Sequence, residues 1–349
     1  NGWRNNDLWL SDVDECTWYS RSSQDQCDGN GKYIRLSLGL NDLWGTIPSE
    51  VALLKNLLEI DFSKSSSTAS LSSSIPSEIG LLEDLRILIL RGNDLSGTLA
   101  SEVGNLANLD SLDLSGNHLS GALPSEIGGM TRLRFWNLAQ NNFNGSIPTT
   151  LGLMTALEQV QLSNNDLTGP VPAQLGRLSL LNSLDLTKNR LSRLPSELDT
   201  LVLLQKFSAA NNRLEGPLPS GIGNSIELLS LELQNNRLTG TIPTELGNLV
   251  ELRDVLDLSS NEFSGSIPTE LGRLIFLRNM LLQNNRLTGS VPSSFATLRR
   301  VSVLRLESND LTGVVSNATC AVFNQTFPVF ATDCTPPEIV CPCCMYSCE

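Results

Sequence analysis

The residues able to do chemistry in this 349-residue chain are few: one histidine, eight cysteines and scattered carboxylates. His118 directly follows an asparagine, at a place that comparable segments fill with Asp, Arg or Asn, and reads as an ordinary exposed side chain. Asp110 and Asp113 lie close together, and a carboxylate pair does acid–base work when its surroundings push the two pKa values apart. Strands with a polar outer face often carry such pairs, and nothing nearby implies a cleft. There is no nucleophile elbow, phosphate-binding loop or metal-ligand cluster. The chain therefore reads as a non-enzyme that needs no cofactor and no metal.

The cysteines sit only at the two ends: Cys16 and Cys27, then Cys320, Cys334, Cys341, Cys343, Cys344 and Cys348. An even number confined to the termini points to stapled ends made in an oxidising compartment. Thiolates at Cys341-Pro-Cys-Cys have a zinc reading, but no histidine lies nearby, and disulfides are the reading adopted. Six tail cysteines admit 15 pairings. Spacing does not choose among them, although a direct bridge between Cys343 and Cys344 is the least favoured. Asn144, Asn317 and Asn324 each head an N-x-[ST] triplet that permits glycosylation on the same route. Twenty-four basic against 37 acidic residues give a net charge of −13, which argues against nucleic acid or an anionic membrane surface as partner. The chain starts at Asn1 and has no apolar run of 18 residues or more, so a removed signal or a fragment of a longer protein is expected, with no direct membrane insertion.

The elements that would position any binding residues follow from a repeat. From Leu109 to Gly129 the chain reads L-D-S-L-D-L-S-G-N-H-L-S-G-A-L-P-S-E-I-G-G. Aligned on Pro124, the same offsets mark Pro48, Pro76, Ala100, Pro148, Pro172, Pro195, Pro219, Pro243, Pro268 and Pro292, at intervals of 24 with single exceptions of 28, 23 and 25. A further copy, Val301 to Val315, lacks the proline. Period 24 with L-x-x-L-x-L-x-x-N-x-L is the leucine-rich-repeat signature. The predicted fold is an α/β solenoid, a right-handed superhelix of about 12 repeats whose parallel strands form a concave sheet between disulfide-capped ends. Its organisation is a cap over 1–33, repeats over 34–315 and a cysteine-rich cap over 316–349.

Within each repeat the leucines point inward. So does the asparagine after the strand, whose amide satisfies backbone groups where the chain bends. Glu50, Glu78, Glu102, Glu126, Glu197, Glu245 and Glu270 each follow Ser or Thr just after the proline place. They read as first-turn acids behind an N-cap, which explains much of the negative charge as scaffold. Three departures from register stand out. Ser63 to Ser74 carries four extra residues and is expected to leave the solenoid as a loop; one residue is missing near Arg193; one is added between Leu252 and Leu256. The last two are expected to change local curvature only.

The added G-x-[IL]-P half of the repeat, as in Gly121-Ala-Leu-Pro, resembles the plant subclass of leucine-rich repeats found in receptor-kinase ectodomains and secreted polygalacturonase-inhibiting proteins. The stretch from Cys16-Thr-Trp-Tyr through Cys27 to Ile34-Arg-Leu-Ser-Leu is similar to the plant N-terminal cap, with a longer cysteine spacing, and the resemblance implies a Cys16–Cys27 bridge. The tail run Pro336-Pro-Glu-Ile-Val-Cys-Pro-Cys-Cys instead resembles the cysteine-rich end of leucine-rich-repeat proteins of diatoms and related algae. Peptide receptors of the plant subclass that read a ligand carboxylate share R-x-R on late strands. Arg305 and Glu307 stand at those places here, so the resemblance does not extend to that motif.

Most outward strand positions are polar. The apolar exceptions form two groups, Ile87 and Ile89 with Phe135, and Val255 with Leu281 and Val303. An apolar side chain facing water has no folding reason to be there, so both groups are candidate contact surfaces. Arg190, Arg213 and Arg237 follow the repeated asparagine in consecutive repeats and form a candidate basic stripe. The expectation is an extracellular, secreted or cell-surface module, monomeric alone, that recognises a protein or peptide, with a possible co-receptor, through the concave face and one flank. A secreted inhibitor of a cell-wall polysaccharide hydrolase and a matrix or adhesion protein are the alternatives.

Overall fold

A computed structural model of the chain describes residues 27, 33–39, 43–64, 70–326, 329–332 and 339–340. These residues fall into two compact units, within 1–167 and within 168–349. In the first unit, strands Arg35–Ser37, Glu59–Asp61, Ile87–Ile89, Ser111–Asp113, Phe135–Asn137 and Gln159–Gln161 pair in parallel, one per coil. In the second, Ser183–Asp185, Lys206–Ser208, Ser230–Glu232, Val255–Asp257, Asn279–Leu281, Val303–Arg305 and Val329–Ala331 do the same. Both units are leucine-rich-repeat coils with the strands in sequence order.

The middle residues of these strands point inward wherever their side chains are described. Ile60, Leu88, Leu112, Trp136 and Val160 in the first unit, and Leu184, Phe207, Leu231, Leu256, Met280 and Leu304 in the second, are fully buried. Each such side chain contributes about 1.5–3 kcal/mol by leaving water. Trp136 takes the place of a leucine, and its buried indole Nε1 has no hydrogen-bond acceptor among the described residues.

Where a strand ends, the repeated asparagine closes the bend as expected. The Asn117 Nδ2 donates to Leu90 O (3.1 Å) in the preceding coil and to Leu114 O (2.9 Å) in its own, while its Oδ1 accepts from Leu95 N (3.1 Å). Asn141 repeats the pattern with Leu114, Leu138 and Leu119, and Asn236 and Asn261 repeat it in the second unit. Asn41 lies outside the described residues.

Beyond the asparagine, the structure adds a feature that the sequence reading lacked. The x-L-x-G-x stretch is itself a strand. Ser72–Ser73, Asp94–Thr98, His118–Ala122 and Asn142–Ser146 form a parallel ladder in the first unit. In the second, Glu215–Pro217, Arg237–Thr241, Glu262–Ser266, Arg286–Gly289 and Asp310–Leu311 form another. The glycine allows the required turn of backbone, as at Gly121 with φ +82°.

The third side of each coil differs from the expected capped helix. It is a five-residue 3₁₀ turn such as Ser101–Asn105 or Ser125–Gly129. The residue in the proline place is the N-cap, and no side chain caps the turn; instead the serine hydroxyl donates to the adjacent glutamate, as from Ser101 to Glu102 at 3.0 Å. Turns of successive coils are packed closely against one another. A Cβ on Gly104 would lie 2.1 Å from Glu126 O in the next coil, and one on Gly80 would lie 2.2 Å from Glu102 O.

The departures from register resolve differently from expectation. Of the Ser63–Ser74 insertion only residues 65–69 lie outside the described residues; Leu71 is buried and Ser72–Ser73 pair with Asp94 and Leu95. The residue missing near Arg193 removes the glycine of that coil, and strand pairing breaks there: Arg190–Leu191 pairs with Thr168–Gly169, and a separate ladder begins at Glu215. The residue added before Leu256 forms a bulge at the strand entry. Arg278 N bonds Arg253 O and Asn279 N bonds Asp254 O, whereas Arg134 N and Phe135 N of a regular coil share the one carbonyl of Asp110.

At the C-terminal side, helix Asn317–Thr326 packs on the turn Ser293–Thr297, and Phe330 stands in register with Leu304. Cys27 and Cys320 are each in a disulfide bond, one in either unit. The other six cysteines, with Phe327, lie outside the described residues.

Two substitutions test this account. Asn117→Ala should lose at least about 3 kcal/mol, because it strands two buried carbonyls and one N–H; a urea melt showing under about 1 kcal/mol would contradict it. Gly104→Ala should cost about 1–3 kcal/mol through overpacking against Glu126, and an unchanged melting temperature would mean that the coils can move apart.

Candidate binding face

Two side chains per strand point outward, at the first and third positions. In the first unit the first-position column reads Arg35, Glu59, Ile87, Ser111, Phe135, Gln159, and the third-position column Ser37, Asp61, Ile89, Asp113, Asn137, Gln161. Ile87 and Phe135 therefore share a column but are separated by Ser111, and Ile89 lies between Asp61 and Asp113. All three are half-buried. The register disperses this group among polar neighbours.

The second unit has the same alternation with a different chemistry around it. Val255 and Val303 share a column with Asn279 between them, while Leu281 lies in the other column between Asp257 and Arg305. Each is half-buried, whereas the inward Leu256, Met280 and Leu304 are fully buried. Leu281 is thus diagonal to both valines, on strands ~4.8 Å apart.

The third-position column also has a structural duty. Asp113 Oδ1 accepts from Ser115 N (3.0 Å) and Ser115 Oγ (2.6 Å), and Asp61, Asn137, Asp185 and Asp257 each accept from the N–H two residues on. Asp113 is therefore occupied in a turn, and Asp110 faces Arg132 at 3.8 Å. His118 is exposed beside Asp94 at 3.9 Å. Among the described residues no group of three His, Cys, Asp or Glu side chains could hold a metal.

Arg190, Arg213 and Arg237 are all exposed at the edge where the second set of strands begins. Arg237 is engaged by Glu215 at 3.2 Å, and Arg286 two coils later by Glu262 at 2.8 Å. The stripe is therefore partly neutralised. Of the sequons, Asn144 and Asn317 are exposed, and Asn324 lies in the helix Asn317–Thr326.

What residue types alone did not reveal is a set of oxygen acceptors on the same face of the second unit. Two residues beyond the outward pair, the chain carries Gln234, Ser259, Gln283 and Glu307 in successive coils. Gln234 Oε1, Gln283 Oε1 and Glu307 Oε2 are buried without a donor. Glu307 Oε1 is already held by Arg305 Nε at 2.7 Å. Gln at one offset before Asn-Asn in both coils was the available signal; burial and missing partners are not visible in it.

Asp257 is the ionisable group on this face with a shifted pKa. Burial raises it above the usual 3.8, hydrogen bonds from Ser259 oppose the rise, the neighbouring Glu232 adds to it and Arg305 opposes it. A raised carboxyl pKa means that the folded state binds the proton more tightly than the unfolded state, so stability declines as pH rises from 3.8 through the folded value. Asp257→Asn keeps the acceptor oxygen for Ser259, as Asn137 does in its coil. The variant should melt at or above wild type at pH 7, with the difference vanishing below pH 3.8; a lower melting temperature at pH 7 would show that the charge stabilises the fold.

Residues 84–106, 108–130, 227–249, 254–274 and 276–298 match the family model of the leucine-rich repeat. A search of curated proteins gave no significant match. Among solved structures the chain is similar to the plant peptide hormone receptor RGFR1 in complex with RGF2, at 30% identity and TM-score 0.77 over 88% of this chain and 52% of that one. It is similar to PEPR1 in the PEPR1–AtPEP1 structure, at 29% identity and TM-score 0.77 over 91% and 47%. It also resembles the Arabidopsis receptor kinase HAESA in complex with the peptide hormone IDA and the co-receptor SERK1, at 26% identity and TM-score 0.68 over 96% and 66%. The chain thus spans about half to two thirds of these relatives' length. The described coils have the leucine-rich-repeat fold and are similar to those of plant receptor ectodomains.

Proposed function

We propose that this chain is an extracellular recognition module that binds a peptide segment of a protein partner along the outward strand face of residues 230–307. The observation that carries the reading is that this face combines half-buried Val255, Leu281 and Val303 with buried, unpartnered oxygens, a combination that the fold itself does not require. Solved structures similar to the chain include receptors holding peptide hormones, which supports the same reading. Disulfide-bonded Cys27 and Cys320 support an oxidising, extracellular setting. No described helix is long and apolar enough to cross a membrane.

The mechanism is recognition by a preformed surface. Each outward side chain is anchored by an inward neighbour locked in the core, so little conformational entropy is lost on binding. Function then depends on complementarity, and catalysis has no part in it. The HAESA structure contains a co-receptor besides its peptide, and the exposed edge at Arg190, Arg213 and Arg237 offers a place for a second protein here.

Changing Val255, Leu281 and Val303 together to Ser should leave the melting temperature within a few degrees of wild type. Capture of peptides from the native secretome, read by mass spectrometry, should fall at least tenfold. Equal capture by both proteins would exclude this face, and a collapse of the melting temperature would make the three residues structural.

A further inference from the structure

The orphaned groups on the second unit's face share one property: every one of them is an acceptor. Gln283 is only 9% exposed, and its Oε1 has no donor. One coil on, Glu307 turns Oε1 to Arg305 and leaves Oε2 buried and unanswered. Two coils back, Gln234 Oε1 is in the same position. A folded chain rarely retains three such oxygens on one surface without a donor that completes them. Because no buried N–H is orphaned among them, the group that completes these buried atoms must donate.

Charge narrows the choice further. Glu232 and Asp257 are neighbours in one outward column and Glu307 follows two coils further on, while Arg305, ion-paired with Glu307, also acts on Asp257, so three carboxylates share this cation. Glu232 and Asp257 are adjacent in one column, where the Glu232 carboxylate disfavours ionisation of Asp257. A neutral donor would complete the hydrogen bonds but leave this repulsion, whereas a cation answers both. Leu281, between Asp257 and Arg305 and two residues before Gln283, would cover an aliphatic stem, as the stems of Lys and Arg need.

We propose that Asp257, Gln283 and Glu307 line a subsite for a guanidinium or ammonium side chain of the bound peptide. The inference rests on the peptide-recognition reading above and specifies its partner: a segment with a basic residue flanked by apolar ones. This is the reverse of a surface built to hold a carboxylate. Bidentate acceptor geometry would favour arginine over lysine.

The test uses a display library of random heptapeptides panned on the intact protein. Wild type should enrich arginine or lysine at least tenfold at one position beside apolar residues. Gln283→Met and the double variant Asp257→Asn with Glu307→Gln should lose that basic preference and keep the apolar one, while melting like wild type. Should a variant melt early, panning wild type with arginine replaced by citrulline, which removes the charge and keeps the shape, gives the same answer: retention unchanged would overturn the subsite. Peptides recovered without any basic preference would sink this inference and leave peptide recognition standing. Recovery of no peptide at all would remove both.

Discussion

The molecule depends on one recurring hydrogen-bond knot. A coil must turn sharply after each strand, and the turn leaves carbonyl and N–H groups facing the interior, where water cannot reach them. The asparagine amide answers these groups in two coils at once, as Asn117 does with Leu90, Leu95 and Leu114. Because its partners belong to successive coils, each amide fixes the rise from one coil to the next. The strand ladders, the buried leucines and the outward columns all inherit that spacing.

The other sides of the coil are adjusted to the same spacing with small residues. Gly80 and Gly104 let consecutive 3₁₀ turns approach until a single methyl group would collide with backbone. Irregularities are then absorbed away from the asparagine column. The extra residue at Arg253 and Asp254 becomes a bulge before the strand, and the residue missing near Arg193 interrupts the second ladder, yet Asn212 and Asn261 keep their bonds. Tolerance at the sides protects register at the strand.

That division of labour leaves the outward columns largely free of folding duty, with the aspartates that brace the following turn as the exception. A surface relieved of packing demands can vary in chemistry without loss of the fold. The two units differ accordingly. Polar neighbours separate Ile87, Ile89 and Phe135, whereas around Leu281 the face gathers carboxylates and unpaired amide oxygens. Rigidity holds those side chains in place beforehand, which is what the proposed recognition surface requires.

The sequence by itself determined the repeat, the inward leucines, the asparagine turns and the polar outer face, because each of these is a local demand met within one period of 24 residues. It also identified Val255, Leu281 and Val303 as apolar residues facing outward. It did not determine how they are grouped, since column neighbours are about 24 residues apart and one inserted or missing residue changes which of them meet. The second set of strands escaped notice because its x-L-x-G-x pattern looks like a turn until a neighbouring coil supplies the pairing. The orphaned oxygens of Gln234, Gln283 and Glu307 were decided by tertiary structure alone. A glutamine is an ordinary surface residue until the coils on either side bury it, and only then does an absent donor acquire an energetic meaning.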